Sequence, residues 1–201
     1  MKMGFSKGFF KFAYCVVKPI FALLCPIRVI GRENVPAGGA VLCANHNNAV
    51  DPILIALALP KDAGLRFMAK MELFQNFFLK WLFCKLGAFP VNREGNDVVA
   101  MKTAMRCLQS GEKLLLFPEG TRVKSEGDVA AKGGAVMFAT RTGVPMVPIY
   151  CGGREKLFHR STIVFGQPYS PPSAGRRPTA EENRQFADEL LRQIYSLKEK
   201  V

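Results

Sequence analysis

Residues 40–59 read AVLCANHNNAVDPILIALAL, and this stretch decides the fold. A short apolar run of strand length leads into a polar loop that contains His46. Asp51 and Pro52 then open a second apolar run. Asp followed by Pro is typical of a helix start, which predicts Asp51 as the N-cap and Pro52 as the first helical residue. The stretch therefore predicts a strand, a loop and a helix in succession.

The same alternation continues along the chain. Further strands are predicted at LRFMAK (65–70), AFPV (88–91), KLLLF (113–117), PMVPIY (145–150) and TIVFG (162–166). Helices are predicted over 96–110 and 133–142. In the first of these, the residues expected to face inward are Val98, Val99, Met101, Met105 and Leu108. A last helix is predicted after a linker at 170–178, because Thr179 and Glu182 form a capping box. Strands alternating with helices predict a single α/β domain with a mainly parallel mixed sheet flanked by helices.

The N-terminal segment, residues 1–30, differs from the α/β domain predicted over 31–201. Basic and aromatic residues recur on opposite faces at helical spacing, as in Lys7, Lys11 and Lys18 against Phe5, Phe9 and Phe12. Charges and prolines interrupt the segment, so it lacks the roughly 20 apolar residues of a spanning helix. The pattern predicts an amphipathic helix lying on a membrane surface. The alternative is an amphipathic helix packed on the protein's own core.

Composition narrows the class of partner. The 201 residues carry a formal net charge of +12, yet 49% are hydrophobic and 16 are Phe. Positive charge predicts an anionic partner, and the apolar content favours an anionic membrane surface over nucleic acid. The six cysteines lie singly in apolar stretches without C-x-x-C spacing, so we expect buried, reduced thiols and no metal site. We expect a peripheral or monotopic protein at the cytoplasmic face of the cell membrane.

Polar side chains follow several predicted strands at the points where they end. His46 and Asp51 follow the first of these strands, Arg93 follows AFPV, and Glu119 and Arg122 follow KLLLF. Open α/β sheets bind ligands beyond the carboxyl ends of their strands, so we expect these side chains to lie close together. Two guanidinium groups suit bidentate binding of a phosphate.

His46 is the best candidate for a general base, because an imidazole exchanges its proton near neutral pH. Asp51 could accept the Nδ1–H and orient the ring. On spacing alone, an Asp51 that only caps a helix and an ordinary loop histidine fit equally well. Glu119 and Arg122 could likewise be solvated residues of a glycine turn. The chain has no G-x-S-x-G motif and no Cys beside a His, so no covalent nucleophile is evident.

Four blocks occur in the order found in one known family. NHNNAVDP (45–52), GAFPVNR (87–93), FPEGTR (117–122) and VPMVPIY (144–150) resemble the four motifs of the PlsC-like glycerolipid acyltransferases. The resemblance covers about residues 31–166. It implies an enzyme of phospholipid biosynthesis that moves a fatty acyl group from acyl-CoA or acyl-carrier protein. The implied acceptor is the sn-2 hydroxyl of 1-acyl-sn-glycerol-3-phosphate (lysophosphatidic acid), and the implied product is phosphatidic acid.

The resemblance also implies roles for individual residues. His46 is expected to deprotonate the acceptor hydroxyl with Asp51 orienting it, and the alkoxide would attack the thioester directly. This single transfer needs no covalent nucleophile, no cofactor and no metal. Substrate-binding roles are expected for Arg93 and Arg122 on the acceptor phosphate, and for Glu119, Gly120 and Thr121 in shaping that loop.

Two further features are expected to serve the same reaction. Lys70 is a candidate for stabilising the tetrahedral oxyanion, which needs a fixed donor or cation. The aromatic segment 74–83 is apolar on nearly every face, as expected of deep core, an acyl-chain wall or a membrane-facing surface.

The chain departs from the family pattern at three positions near these motifs. Asn48 stands where the family often has Ser, Asn92 where Asp commonly precedes the arginine, and Val123 where Ser is usual. Because of these departures, the resemblance alone does not decide which molecule accepts the acyl group. The alternatives are an acyltransferase acting on glycerol-3-phosphate or another lysophospholipid, and a non-catalytic membrane lipid-binding protein.

Overall fold

Seven strands form one sheet in the computed structural model of the chain, which describes residues 4–92, 95, 97–123, 127, 129–153, 158–171 and 178–201. The strands are β1 (Ile27–Ile30), β2 (Ala40–Ala44), β3 (Leu65–Lys70), β4 (Ala88–Val91), β5 (Lys113–Leu116), β6 (Met146–Gly152) and β7 (Ser161–Phe165). Their order across the sheet is β1-β7-β6-β2-β5-β3-β4.

Five strands, β6-β2-β5-β3-β4, run parallel to one another. β7 runs antiparallel to β6, and β1 runs parallel to β7. Every residue of β2 and β6 is buried, because helices cover both faces and a continuous apolar run is then favourable. The predicted α/β class and mainly parallel mixed sheet are confirmed.

Six helices flank the sheet in the described residues: α1 (Lys7–Leu24), α2 (Asp51–Ala58), α3 (Phe77–Lys85), α4 (Val98–Gln109), α5 (Gly134–Thr142) and α6 (Ala180–Ser196). Helices α4, α5 and α6 bury one face of the sheet in one apolar cluster, and α1 and α2 cover the other face. The predicted capping box of Thr179 and Glu182 opens α6. Short 3-10 turns lie at Arg32–Asn34, Met71–Phe74 and Leu197–Lys200.

Three local predictions are wrong. Val50, not Asp51, occupies the N-cap of α2. The first helical residue is therefore Asp51 and not Pro52 as predicted. Val98 and Val99 are exposed, because the buried side of α4 is formed by smaller and later residues, namely Ala100, Ala104, Cys107 and Leu108. Cys15 is exposed on α1, whereas Cys43, Cys107 and Cys151 are buried as predicted.

Helix α1 presents one side to the protein and another to solvent. Phe10 is buried against the core, and the Tyr14 hydroxyl donates to the carbonyl oxygens of Leu57 at 3.2 Å and Leu59 at 3.0 Å. The opposite side leaves four large apolar side chains exposed: Phe12, Val16, Ile20 and Leu23. Across the described part of the chain, every helix is too short or too polar to span a bilayer. The proposed division of the chain at residue 30 stays a prediction.

Candidate active site

The end of β2 is tied to the end of β6 by one buried amide side chain. Cys151 N donates to Asn45 Oδ1 at 2.7 Å, and Asn45 Nδ2 donates to Cys151 O at 3.1 Å. These two bonds use both ends of the Asn45 amide where the strand ladder stops. His46, the next residue, therefore leaves the sheet from a fixed point.

The loop after β2 folds around the carboxylate of Asp51. Asp51 Oδ2 lies 2.9 Å from His46 Nδ1 and accepts the backbone N–H groups of Asn47 and Asn48, each at 2.8 Å. The Asp51 side chain is 1% exposed. An ionised carboxylate only accepts hydrogen bonds, so the tautomer with its proton on Nδ1 suits this contact. The Asp51 carboxylate thus contacts both the imidazole and the backbone of the loop.

The imidazole is also held on its face and through its backbone. Its ring stacks on Phe117 with centroids 4.0 Å apart and an interplanar angle of 23°. Val123 N donates to His46 O at 2.9 Å, which joins the loop to the residue after FPEGTR. The His46 side chain remains 18% exposed.

Glu119 lies beneath this loop and is 2% exposed. Its Oε2 accepts His46 N–H at 2.8 Å, and its Oε1 accepts the Tyr195 hydroxyl at 2.5 Å. Burial raises the pKa of the Glu119 carboxyl, while the hydrogen bonds from Tyr195 and His46 N act in the opposite direction without cancelling the rise. The interpretation of Glu119 as a solvated turn residue is therefore excluded, and its contacts fit a role in shaping the loop.

Gly120 makes the turn of FPEGTR, with a φ of +70° and a hydrogen bond from its N–H to Phe117 O at 2.9 Å. A Cβ at this position would come within 2.6 Å of the Lys132 Nζ and Cε atoms. The Lys132 side chain therefore lies directly against the glycine. Thr121 and Arg122 follow the turn and are exposed.

Of the two remaining predicted residues, Lys70 lies along the same edge of the sheet. Lys70 is the last residue of β3, is exposed, and pairs in register with Val91 at the end of β4. Strand β5 separates β3 from β2, so Lys70 lies two strands away from His46. Arg93 lies outside the described residues, just beyond Asn92. Direct contacts join His46, Asp51 and Glu119, whereas Lys70 shares only the sheet edge.

Sequence reasoning missed four residues that build this site: Asn45, Phe117, Lys132 and Tyr195. Asn45 and Phe117 each directly follow a predicted strand or end it, and that position was a usable signal. Tyr195 is 76 residues from Glu119 in the sequence, so no local sequence pattern could predict their contact.

Comparison with known proteins assigns the chain. Residues 26–152 match the model of the family described as Acyltransferase. The chain belongs to this acyltransferase family. A 1-acyl-sn-glycerol-3-phosphate acyltransferase of Bacillus subtilis is 32% identical over 199 residues, covering 96% of this acyltransferase and 98% of that protein. A protein of the same name from Streptococcus pneumoniae is 34% identical over 134 residues, covering 64% and 49% of the two chains.

The fold is also that of a solved relative. The crystal structure of the 1-acyl-sn-glycerophosphate acyltransferase PlsC from Thermotoga maritima superposes with a TM-score of 0.71 at 24% identity. The match covers 96% of this acyltransferase and 79% of that chain. The PlsC-like resemblance drawn from the four motifs is confirmed. The family-model match ends before α6, although α6 supplies Tyr195 to the site.

Proposed function

We propose that this acyltransferase moves a fatty acyl group from acyl-CoA or acyl-carrier protein to the sn-2 hydroxyl of lysophosphatidic acid, giving phosphatidic acid. The contact between His46 Nδ1 and Asp51 Oδ2 carries the proposal, because it leaves Nε2 free of a proton beside an exposed ring edge. The name of the Bacillus subtilis relative, which spans nearly the whole chain, supports the choice of acceptor.

The reaction proceeds by one direct transfer. His46 Nε2 takes the proton of the sn-2 hydroxyl while the hydroxyl oxygen attacks the thioester carbonyl carbon. The tetrahedral intermediate collapses by breaking the C–S bond, and the imidazolium returns its proton to the departing thiolate. Asp51 stabilises the imidazolium between these steps. A positioned general base typically contributes about 10²–10⁴-fold in rate.

Cations at the sheet edge bind the charged parts of the substrates. Arg93 and Arg122 hold the acceptor phosphate, with Gly120 and Thr121 shaping the turn between β5 and Arg122. Lys132, which lies against Gly120, adds a third positive charge at this turn. Lys70, exposed at the end of β3, would have to extend along the sheet edge to stabilise the oxyanion of the tetrahedral intermediate, where negative charge develops.

Substituting Gly120→Ala tests the phosphate turn. A Cβ would force the Lys132 ammonium away and strain a residue at φ +70°. We expect the free energy of unfolding to fall by about 1–2 kcal/mol. The KM for lysophosphatidic acid should rise roughly five- to tenfold, the size expected when one hydrogen bond worth about 1 kcal/mol is lost. Chemical denaturation and initial-rate kinetics measure the two effects.

Gly111→Ala is the matched control. Gly111 has a φ of +83°, and a Cβ there would meet no atom within 4 Å. This variant should lose similar stability and keep the acceptor KM of the wild type. Equal KM values in the two variants would contradict the placement of the phosphate at the Gly120 turn.

The acceptor lipid enters from a membrane that contacts an exposed apolar surface. We define the docking surface as Phe12, Val16, Ile20 and Leu23 of α1 with Phe77 and Phe78 of α3. Two ring contacts join its halves, because Trp81 lies 5.3 Å from Phe9 and 6.1 Å from Phe78. A continuous apolar patch on a protein of net charge +12 suits an anionic bilayer surface, here the cytoplasmic face of the cell membrane.

The docking surface extends to the sheet edge that carries His46. Helix α3 begins after the 3-10 turn that follows the end of β3. At the end of α1, Leu24 O accepts Phe158 N–H, and the first residues of β7 pair with the last residues of β6. Both helix ends therefore lie on the side of the molecule where the parallel strands end. A lipid in the bilayer can present its headgroup to His46 from this side.

The double substitution Phe77→Ser and Phe78→Ser should weaken binding to vesicles containing phosphatidylglycerol at least about tenfold, since each phenyl ring loses its burial in lipid. Sedimentation with vesicles measures the binding. Val201→Ser replaces an exposed apolar residue away from the docking surface and should bind like the wild type. Unchanged vesicle binding by the double variant would contradict the assignment of this surface.

Assaying both donors against three acceptors tests the proposed reaction. Purified protein is incubated with acyl-CoA or acyl-carrier protein and with lysophosphatidic acid, glycerol-3-phosphate or lysophosphatidylcholine. We expect phosphatidic acid from lysophosphatidic acid with at least one donor, and little product from the other acceptors. Preferential acylation of glycerol-3-phosphate or lysophosphatidylcholine would overturn the acceptor assignment.

A further inference from the structure

The buried carboxylate of Glu119 connects α6 to the backbone of His46. Tyr195 OH donates to Glu119 Oε1 at 2.5 Å, and His46 N donates to Glu119 Oε2 at 2.8 Å. Each carboxylate oxygen thus has a donor from a different part of the fold. Glu119 holds the peptide group from which the imidazole extends, and Tyr195 holds Glu119.

Tyr195 is itself held in place by the packing of α6. Its ring packs edge to face on Tyr150 of β6, with centroids 6.1 Å apart. The neighbouring Ile194 and the preceding turn's Leu190 are fully buried in the core. The phenol therefore approaches Glu119 from a rigid element, and a rigid donor can fix the orientation of a carboxylate.

We propose that Tyr195 is a positioning residue for acyl transfer, acting through Glu119 on the backbone of His46. The proposal rests on the proposed function, because it assumes that His46 is the base. It also makes α6, which lies beyond residues 26–152, part of the apparatus that orients the catalytic histidine.

The protonation state of Glu119 depends on this contact. The titratable groups that face the carboxyl are Tyr195 from α6 and His46 and Asp51 from the loop at the end of β2. The hydrogen bond from Tyr195 favours the ionised carboxylate and opposes the effect of burial. Removing the hydroxyl should therefore raise the pKa of Glu119 further. A protonated Glu119 is a weaker acceptor for His46 N–H, so His46 is held less firmly.

Tyr195→Phe removes only the donor hydroxyl. We expect kcat for acyl transfer to fall roughly tenfold, as for the loss of a hydrogen bond to a charged group. The KM values for donor and acceptor should stay within about twofold, because Tyr195 does not touch the substrates. The backbone amide resonance of His46 reports the titration of Glu119, and its midpoint should move to higher pH in the variant.

Two further variants separate positioning from a general loss of structure. Tyr169→Phe removes another buried hydroxyl, one without a hydrogen-bond partner in the described residues, and should leave kcat and the His46 titration unchanged. In a Glu119→Gln background, Tyr195→Phe should cost much less than in the wild type, because the two residues act as a unit. Equal losses in the two backgrounds, or a kcat within twofold of wild type for Tyr195→Phe, would overturn the proposal.

The titration also distinguishes this proposal from the proposed function. If wild-type protein makes no acylated product, the proposed function fails while the His46 amide still reports whether Tyr195 controls Glu119. If the wild type is active and the His46 titration midpoint does not move in Tyr195→Phe, only the positioning role fails.

Discussion

Replacing His46 with alanine should lower kcat for phosphatidic acid formation by about 10³-fold, within the range that a positioned general base contributes. The loss is large because, among the residues that the structure describes, the carboxylate in contact with the ring is that of Asp51, which lies on the Nδ1 side. The KM values should change little, since the proposed function places the phosphate and the acyl chain on other residues. Steady-state kinetics with saturating donor measures the change.

His159 provides the matched control for this substitution. It is the second of the two histidines in the sequence and is exposed just before β7. His159→Ala should keep the wild-type kcat. A His46→Ala variant that retained more than a tenth of the activity would remove His46 from the base role and leave the acceptor assignment standing.

Asp51→Asn should lower kcat by roughly 10²–10⁴-fold, comparable to the loss of the orienting carboxylate in other His–Asp sites. Asp51 Oδ2 contacts His46 Nδ1 and two backbone N–H groups, so a neutral amide can keep part of the loop but cannot stabilise the imidazolium. The amide can also turn its NH₂ group toward Nδ1 and select the wrong tautomer. Kinetics and ¹⁵N resonances of the His46 ring measure the two effects.

Asp188→Asn is the control for the loss of one negative charge, because Asp188 is exposed on α6. That variant should retain wild-type activity. The orienting role would be contradicted if Asp51→Asn kept kcat within about threefold and the His46 ring nitrogens in that variant titrated like those of the wild type. Asp51 would then have only a structural role at the start of α2.

Much of the fold was predictable because its strands are continuous apolar runs and its helices carry local start and stop signals. AVLCA and the first three residues of KLLLF are buried, which is what an apolar run of strand length indicates. The place and direction of β1 were not predictable, because they depend on pairing between residues more than 130 positions apart, as in Ile27 with Ser161. The aromatic segment of α3 was ambiguous from its pattern alone: none of the residues of α3 is buried, although nearly every face of the helix is apolar.

In the candidate site too, contacts between residues close in the sequence were predictable and contacts between distant residues were not. His46 and Asp51 are five residues apart, so their contact was within reach of sequence spacing. The spacing could not show that one oxygen atom of Asp51, Oδ2, collects three contacts from the loop. Glu119 is buried with a hydrogen bond from Tyr195 of α6. The residues of FPEGTR alone cannot predict that partner, because it lies far away in the sequence.

The most direct measurement uses purified protein, 1-acyl lysophosphatidic acid and an acyl thioester with an isotope label in its acyl chain. The product is then cleaved with a phospholipase specific for the sn-2 position. We expect labelled phosphatidic acid from the wild type, with the label released from sn-2, and about 10³-fold slower formation by His46→Ala. Label in free fatty acid alone, or no labelled lipid with either acyl-CoA or acyl-carrier protein as the donor, would contradict acyl transfer to lysophosphatidic acid.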